Sequence, residues 1–175
     1  MRRLSLNARL AQDAETGPEI YVVLFHIEHE DMAAPIRLST DNTERISSDP
    51  DLIYGTRSSW RGADPGLEPF LWIIASAVLP SDLEDTPAAA KVVLENLDRE
   101  LARLLRSFTT PATIHMAVVL ADTPNLIEQE YAGLQLVSAD MDAGEIAIAF
   151  SREEIELEYY PAGRMTRNRF PGLHL

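Results

Sequence analysis

Apolar and polar positions alternate along most of this chain with the period of strands, and two stretches carry the period of a helix instead. Leu4, Leu6, Ala8, Leu10, Ala11 and Ala14 predict a short helix over 4–14, with Ser5 as its N-cap and Thr16-Gly17-Pro18 as its stop. Glu19 to His29 predicts a strand whose segment Tyr21-Val22-Val23-Leu24-Phe25 is apolar on both faces, as in a strand covered on two sides. A turn near Glu30–Pro35 leads to a hairpin partner, Ile36-Arg37-Leu38-Ser39. Residues 40–68 are rich in Asp, Ser, Asn, Gly and Pro and have few apolar anchors (Ile46, Leu52, Ile53, Tyr54, Trp60). They are expected to form no clear element, and a stretch this long is usually functional or ordered by a partner.

Pro69 to Leu79 predicts one strong strand, Pro80–Pro87 an acidic loop, and Ala90 to Leu94 another strand. The clearest helix follows Asn96, its N-cap, with Leu97, Leu101, Leu104 and Leu105 on one face and Pro111 ending it. Asp98 and Glu100 near its start and Arg103 and Arg106 near its end agree with the helix dipole. Strands follow at Thr113–Leu120, Leu134–Met141 and Glu145–Phe150, the last two joined through Asp142-Ala143-Gly144 as a hairpin. Glu154 to Tyr159 alternates again, and Pro161–Leu175 is an extended, basic and aromatic tail. Seven or eight strands with one or two short helices predict a β-rich α+β domain, mostly antiparallel, built as a sandwich or a split barrel. The whole of 1–175 is expected to be a single domain, with 1–16 an N-terminal helix and 161–175 an extended docking tail.

Charge changes this picture more than composition does. The chain carries 15 basic and 28 acidic residues, a net charge of −13. All the acids lie between Asp13 and Glu158 with nine basic residues among them, so the body is −19 and the two ends together are +6. So acidic a body is a poor wrapper of nucleic acid, whose phosphates are bound by Lys and Arg. DNA is at most expected to pass through a channel that the protein lines. With no cysteine, disulfides, thiolate metal sites, Fe–S clusters and Cys nucleophiles are excluded. No apolar run approaches the roughly 20 residues of a membrane span, so no stable membrane anchoring is expected. Asn7, Arg9, Gln12 and Asp13 interrupt any signal-peptide core, which predicts synthesis and assembly in a cytoplasm.

The chemistry-bearing residues are sparse. His26 and His29 stand three apart, an offset that puts them on opposite faces of a strand and makes a shared metal awkward. His115, between Ile114 and Met116, reads as a core or interface histidine. Asp140 to Glu145 superficially resembles a calcium loop but lacks its ligands and length, and it stands where a hairpin turn is expected. Glu28, Glu30 and Asp31 are candidates for paired carboxylates, with nothing in sequence to fix their separation. Motifs for nucleotide, serine-hydrolase and zinc-protease chemistry are missing. The expectation is therefore no enzyme, with no catalytic residue, cofactor or metal.

Two features point to assembly. Glu154, Glu156 and Glu158 line one face of a strand; they either solvate an edge against unwanted pairing or receive the arginines of a neighbouring subunit. The tail carries Arg164, Arg167 and Arg169 with the anchors Met165, Phe170 and Leu173, which predicts docking. With Arg2, Arg3 and Arg9 at the other end, these residues make up the candidate subunit interface.

The opening Met1–Leu10, the strand Tyr21–Glu28, the element Leu94–Glu100 and the close Phe170-Pro171-Gly172-Leu173 resemble a prophage family of unknown function usually encoded among tail genes. More distantly, Val22–Ile27, Val92–Leu97, Thr113–Leu120 and Phe170–Leu173 are similar to the N-terminal part of minor tail protein L of lambda-like phages and to the hub proteins of gene transfer agents. Those chains continue into a Cys-rich segment; this sequence reaches Leu175 without one, which limits the resemblance to the upper hub module. The resemblance implies a virion structural protein at the tail tip or baseplate. Such a protein forms a homo-oligomeric hub ring, a trimer in preference to a hexamer. Its implied partners are the distal tail ring, the tape measure and the central fibre or receptor-binding assembly. Alternatives are the hexameric distal tail ring protein itself and a tail-borne cell-wall hydrolase or carbohydrate-binding module.

Overall fold

A computed structural model describes residues 4–15, 19–78, 90–95, 110–142, 145–151 and 169. Helix α1 (Leu6–Asp13) opens the described chain, with the Ser5 hydroxyl accepting the Ala8 N–H at 3.1 Å as its N-cap. Ten strands follow: β1 (Tyr21–Glu28), β2 (Ile36–Ser39), β3 (Glu44–Ser47), β4 (Ile53–Thr56), β5 (Phe70–Trp72), β6 (Ile74–Val78), β7 (Ala90–Glu95), β8 (Thr113–Leu120), β9 (Thr123–Met141) and β10 (Glu145–Ser151). A 3₁₀ turn, Trp60–Gly62, lies between β4 and β5. The strands form a single sheet in the order β3-β4-β5-β2-β1-β8-β9-β10-β7-β6. Only β2 and β5 pair parallel among the described residues, so the sheet is mixed, though mostly antiparallel.

The chain passes from β5, third in that order, to β6, the tenth, through Ile73 alone. The Ile73 N–H still donates to the Ser39 carbonyl at the end of β2, 2.9 Å away, while Ile74 already pairs with Glu95 of β7. One straight run of backbone thus changes neighbours at Ile73, which brings the two ends of the sheet together and curls it. The strand expected over Pro69–Leu79 is present but divided by this change of partner.

Alternation along β1 sends Val23, Phe25 and Ile27 to one face and Val22, Leu24, His26 and Glu28 to the other. The first face holds the larger core. Phe25, Ile27, Leu38, Ile73, Val92, Ile114, Met116, Tyr131, Leu134, Ile146, Ile148 and Phe150 meet there from six strands and the β5–β6 junction, inside the curl. The second face is covered by the segment between β4 and β5: Trp60, Ala63 and Phe70 pack on Val22, Leu24, Ala117 and Val119. Trp60 and Phe70 stack with ring centroids 5.9 Å apart. Both faces of β1 are therefore buried, as its apolar run predicts.

Residues 40–68 contain more structure than their composition indicates: the β3–β4 hairpin, the 3₁₀ turn and a set of local side-chain caps. Gly55 is fixed by close approach, since a Cβ there would lie 2.0 Å from the Phe70 carbonyl oxygen across the β4–β5 pair. Strand β9 begins at Thr123 and not at Leu134; register shifts against β8 and β10 interrupt its alternation, two of them single-residue bulges against β8. One makes Glu128 an extra residue between the pairs Val118–Gln129 and Val119–Ile127. The other sets Ala132 and Gly133 against His115, with Gly133 at φ 68°. The β9–β10 hairpin stands where it is expected, with Met141 opposite Ile146. The expected helix after Asn96, the loop Pro80–Pro87, the strand Glu154–Tyr159 and the tail Pro161–Leu175 apart from Arg169 lie outside the described residues.

Candidate functional site

The polar end of the outer face of β1 carries the densest cluster of ionisable groups among the described residues. Register builds it. His26 of β1 is directly opposite His115 of β8 on one side and Arg37 of β2 on the other, giving a row across three strands. Glu28 lies two residues beyond His26 on the same face. From above, the 3₁₀ turn brings in Trp60, which meets the His26 ring edge-on at 6.1 Å, and Arg61.

Glu28 is the hub of this cluster. Its Oε1 is 2.8 Å from His26 Nε2, 3.2 Å from Arg61 Nη2 and 3.8 Å from His115 Nε2. The first contact assigns the His26 proton to Nε2, leaving Nδ1 a buried acceptor with no partner. His115 Nδ1 accepts the Gly133 N–H at 3.0 Å, so the neutral His115 ring carries its proton on Nε2; Arg61 Nη2, 3.0 Å from that nitrogen, is itself a donor and makes no hydrogen bond to it, which leaves the Glu28 carboxylate as the acceptor between them. Arg37 is held by Glu68 at 3.1 Å, and its Nε is buried without a partner. Trp60 is fixed from below by its indole N–H, which donates to Glu130 Oε1 at 3.0 Å.

Burial pushes the His26 and His115 rings below their ordinary value, and Arg61 adds to the effect at both. Burial alone would raise the Glu28 carboxyl. The Arg61 hydrogen bond and the charges of His26, Arg61 and His115 outweigh it and hold Glu28 below the usual carboxylate range. Near neutral pH the cluster is thus a Glu28–Arg61 ion pair flanked by two neutral imidazoles.

Beside it opens a pocket of about 270 Å³, lined by His26, Glu28, Arg37 and Arg61 and by the β1–β2 turn. Arg61 sits at φ 57°, ψ 30°, a left-handed conformation that costs a non-glycine residue on the order of 1 kcal/mol and clusters at functional sites.

Two imidazoles and a carboxylate converging on one point resemble a metal triad, but the remaining contacts are those of a guanidinium site. A metal-bound His115 would carry a proton on Nδ1 and donate it, whereas Nδ1 faces the Gly133 N–H donor, and Arg61 stands against Nε2. The three candidate carboxylates also part company. Glu28 pairs with His26 and Arg61, Glu30 accepts from Thr110 Oγ1 at 3.3 Å, and Asp31 Oδ2 lies 3.6 Å from His29 Nδ1. The His29 ring turns to Thr110, 2.7 Å from its hydroxyl, apart from the His26 row.

A second site ties α1 to the sheet. The bulged Glu128, 7% exposed, accepts the Ser5 backbone N–H at 2.7 Å and the Ser5 hydroxyl. It places a carboxylate at the positive end of the helix. The opposite side of α1 is open: Leu6 is 71% and Leu10 60% exposed, with exposed Arg9 on the same face. Of the expected interface residues, Arg9 and Arg169 are exposed. Arg2, Arg3, Glu154, Glu156, Glu158, Arg164, Arg167 and Phe170 lie outside the described residues. Neither the Arg61–Glu28 pair nor the Glu128 anchor emerges from sequence reasoning. The available signal is a lone polar residue in each of two apolar strands, His26 in Tyr21–Ile27 and His115 in Ile114–Leu120.

No family model matches the chain, and a search of curated proteins finds no similar sequence. No helix among the described residues is long and apolar enough to cross a membrane.

Proposed function

We propose that this protein is a structural subunit of a siphophage-like tail tip. Copies of it form a hub ring between the distal tail ring above and the central fibre or receptor-binding assembly below. The observation that carries the proposal is α1, pinned to the sheet through Ser5 and Glu128 while Leu6, Arg9 and Leu10 face outward. An apolar and cationic helix face on a body of opposite charge suits contact with a second copy of the same chain. The charge layout supports it, since a ring of identical subunits lets the +6 of the ends meet the −19 of a neighbour's body.

In this proposal the curled sheet is a split barrel. The run from β5 to β6 is the seam, pairing β2 before Ile73 and β7 after it. Its role is assembly and not catalysis, with the virion tail tip as its place and the host bacterial cytoplasm as its site of assembly. Light scattering with mass determination at low and high salt tests it. The expected result is a discrete oligomer, three copies in preference to six, that dissociates as salt screens the contacts. A stable monomer at every salt concentration, with turnover of peptidoglycan, overturns it.

A further inference from the structure

The His26–Glu28–Arg61–His115 cluster has a property that a merely structural ion pair does not need: both of its imidazoles can take up a proton only at Nδ1, and the charge so added falls beside Arg61 of the turn above. On His115 the open position is Nδ1, and a proton there would meet the Gly133 N–H. On His26 the open position is Nδ1, buried beside the Arg37 row position. A proton on either ring adds positive charge to a site that already holds two guanidinium groups. The facing charged groups are Glu28 from β1, Arg37 from β2 with its partner Glu68, Arg61 from the 3₁₀ turn, and Glu130 from β9. Arg61 is the member of the cluster outside the sheet. It belongs to a short turn, it is held in a left-handed conformation, and its hydrogen bond to the sheet goes to Glu28. The other groups are on strands, except Glu68, which lies in the segment before β5.

We infer that this cluster is an acid-released latch. Protonation of His26 and His115 transfers the Glu28 carboxylate from Arg61 to the two imidazolium rings and frees the Trp60–Gly62 turn from the sheet. Arg61 swings to solvent and its backbone relaxes. Trp60 follows as its indole N–H leaves Glu130, and the apolar surface it covers, Val22, Leu24, Phe70, Ala117 and Val119, becomes exposed. The sheet persists, because its larger core lies on the other face of β1 and contains no ionisable group except the Tyr131 phenol. The depressed affinity of both rings for protons places the release on the acid side of the ordinary histidine value.

The test uses the full chain with Trp72→Phe, which leaves Trp60 as the single tryptophan. Its emission is followed from neutral to acid pH beside the far-ultraviolet dichroism of the sheet. The expected result is a red shift of Trp60 emission with its midpoint below pH 6.5 while the β signal is retained. The shift should disappear in the double variant His26→Gln, His115→Gln. An emission that stays constant until the β signal collapses overturns the latch, as does an unchanged midpoint in the double variant. Should that variant fail to fold, proton NMR of the unsubstituted protein decides. Ring signals of His26 and His115 that titrate together with the Trp60 indole signal support the latch, and independent titrations overturn it.

Discussion

Replacing Glu128 by alanine should release α1 and leave the sheet standing. The carboxylate is buried and takes both the backbone N–H and the hydroxyl of Ser5, the residue that also caps the helix. Hydrogen bonds to a charged group contribute about 1.5–3 kcal/mol each, and a carboxylate at a helix N-terminus adds about 0.3–1 kcal/mol. Because the two bonds share one acceptor they do not sum fully, and the loss should be about 2–4 kcal/mol. Beyond this anchor, the Tyr21 hydroxyl, which accepts from Gln12 at 3.2 Å and lies 3.5 Å from the Ala8 carbonyl, holds the helix. It has eight residues and only Ala8 is buried, whereas isolated helices shorter than about 12–15 residues are marginal in water. Backbone amide exchange reads the outcome directly. The Arg9 and Ala14 amides, which bond to Ser5 and Leu10, should lose protection in Glu128→Ala, while amides of β1 and β8 keep theirs. Glu128→Gln keeps an acceptor without the charge and should fall between. Undiminished protection of Arg9 in the alanine variant would refute the view that Glu128 is the anchor.

Gly55→Ala should cost about 1–3 kcal/mol or more in urea denaturation, because the new Cβ meets backbone and not a movable side chain. A change within about 0.5 kcal/mol would show that the β4–β5 pair can shift freely. Leu134→Ala, at a fully buried position of the larger core, should cost about 2–5 kcal/mol by the same measurement, and a near-neutral result would contradict its place there. Thermal stability should be flat above pH 6.5 and decline below it, since the unfolded chain takes up protons at its histidines before His26 and His115 do. Glu28 adds a second loss as pH falls below 4.5, because its folded carboxyl holds protons less tightly than the unfolded one. A melting temperature that rises on acidification would reverse the sign of this linkage.

The elements legible in the sequence are those whose pattern one face of one element decides. Ser5 followed by apolar residues at helical spacing reads as a capped helix; β1, β8 and β10 read as strands from apolar runs broken by at most a lone polar residue, and β2 from its alternation. The misses share a cause. In β3 and β4 the segments Glu44–Ser47 and Ile53–Thr56 are too short and too polar to show alternation, and the close pairing of β4 to β5 rests on Gly55. In β9, Pro124, Asn125 and Gly133 read as breakers, although they sit at a strand start and a bulge. The site was half visible. His26, His115 and Glu28 stand out locally, but only register places His26 between His115 and Arg37, and Arg61 arrives from a segment with no periodicity at all.

Two of the register shifts in β9, the bulges at Glu128 and at Ala132–Gly133, explain why both sites exist on this sheet. In a regular ladder each residue of β9 would face one residue of β8, and Glu128 would take its turn on a face with no special aim. As an extra residue it is released from pairing and reaches the first N–H of α1. Five residues on, Gly133 adopts a left-handed conformation that directs its N–H at His115 Nδ1, which fixes the tautomer and leaves Nε2 to face Arg61 and Glu28. Deleting Ala132 would restore the pairing of β9 to β8 and withdraw that N–H. The His115 ring would then be free to take a proton on Nδ1, and its titration, followed by NMR, should move up towards its ordinary value. A His115 titration unchanged by the deletion would mean that the bulge has no part in setting the proton affinity of the cluster.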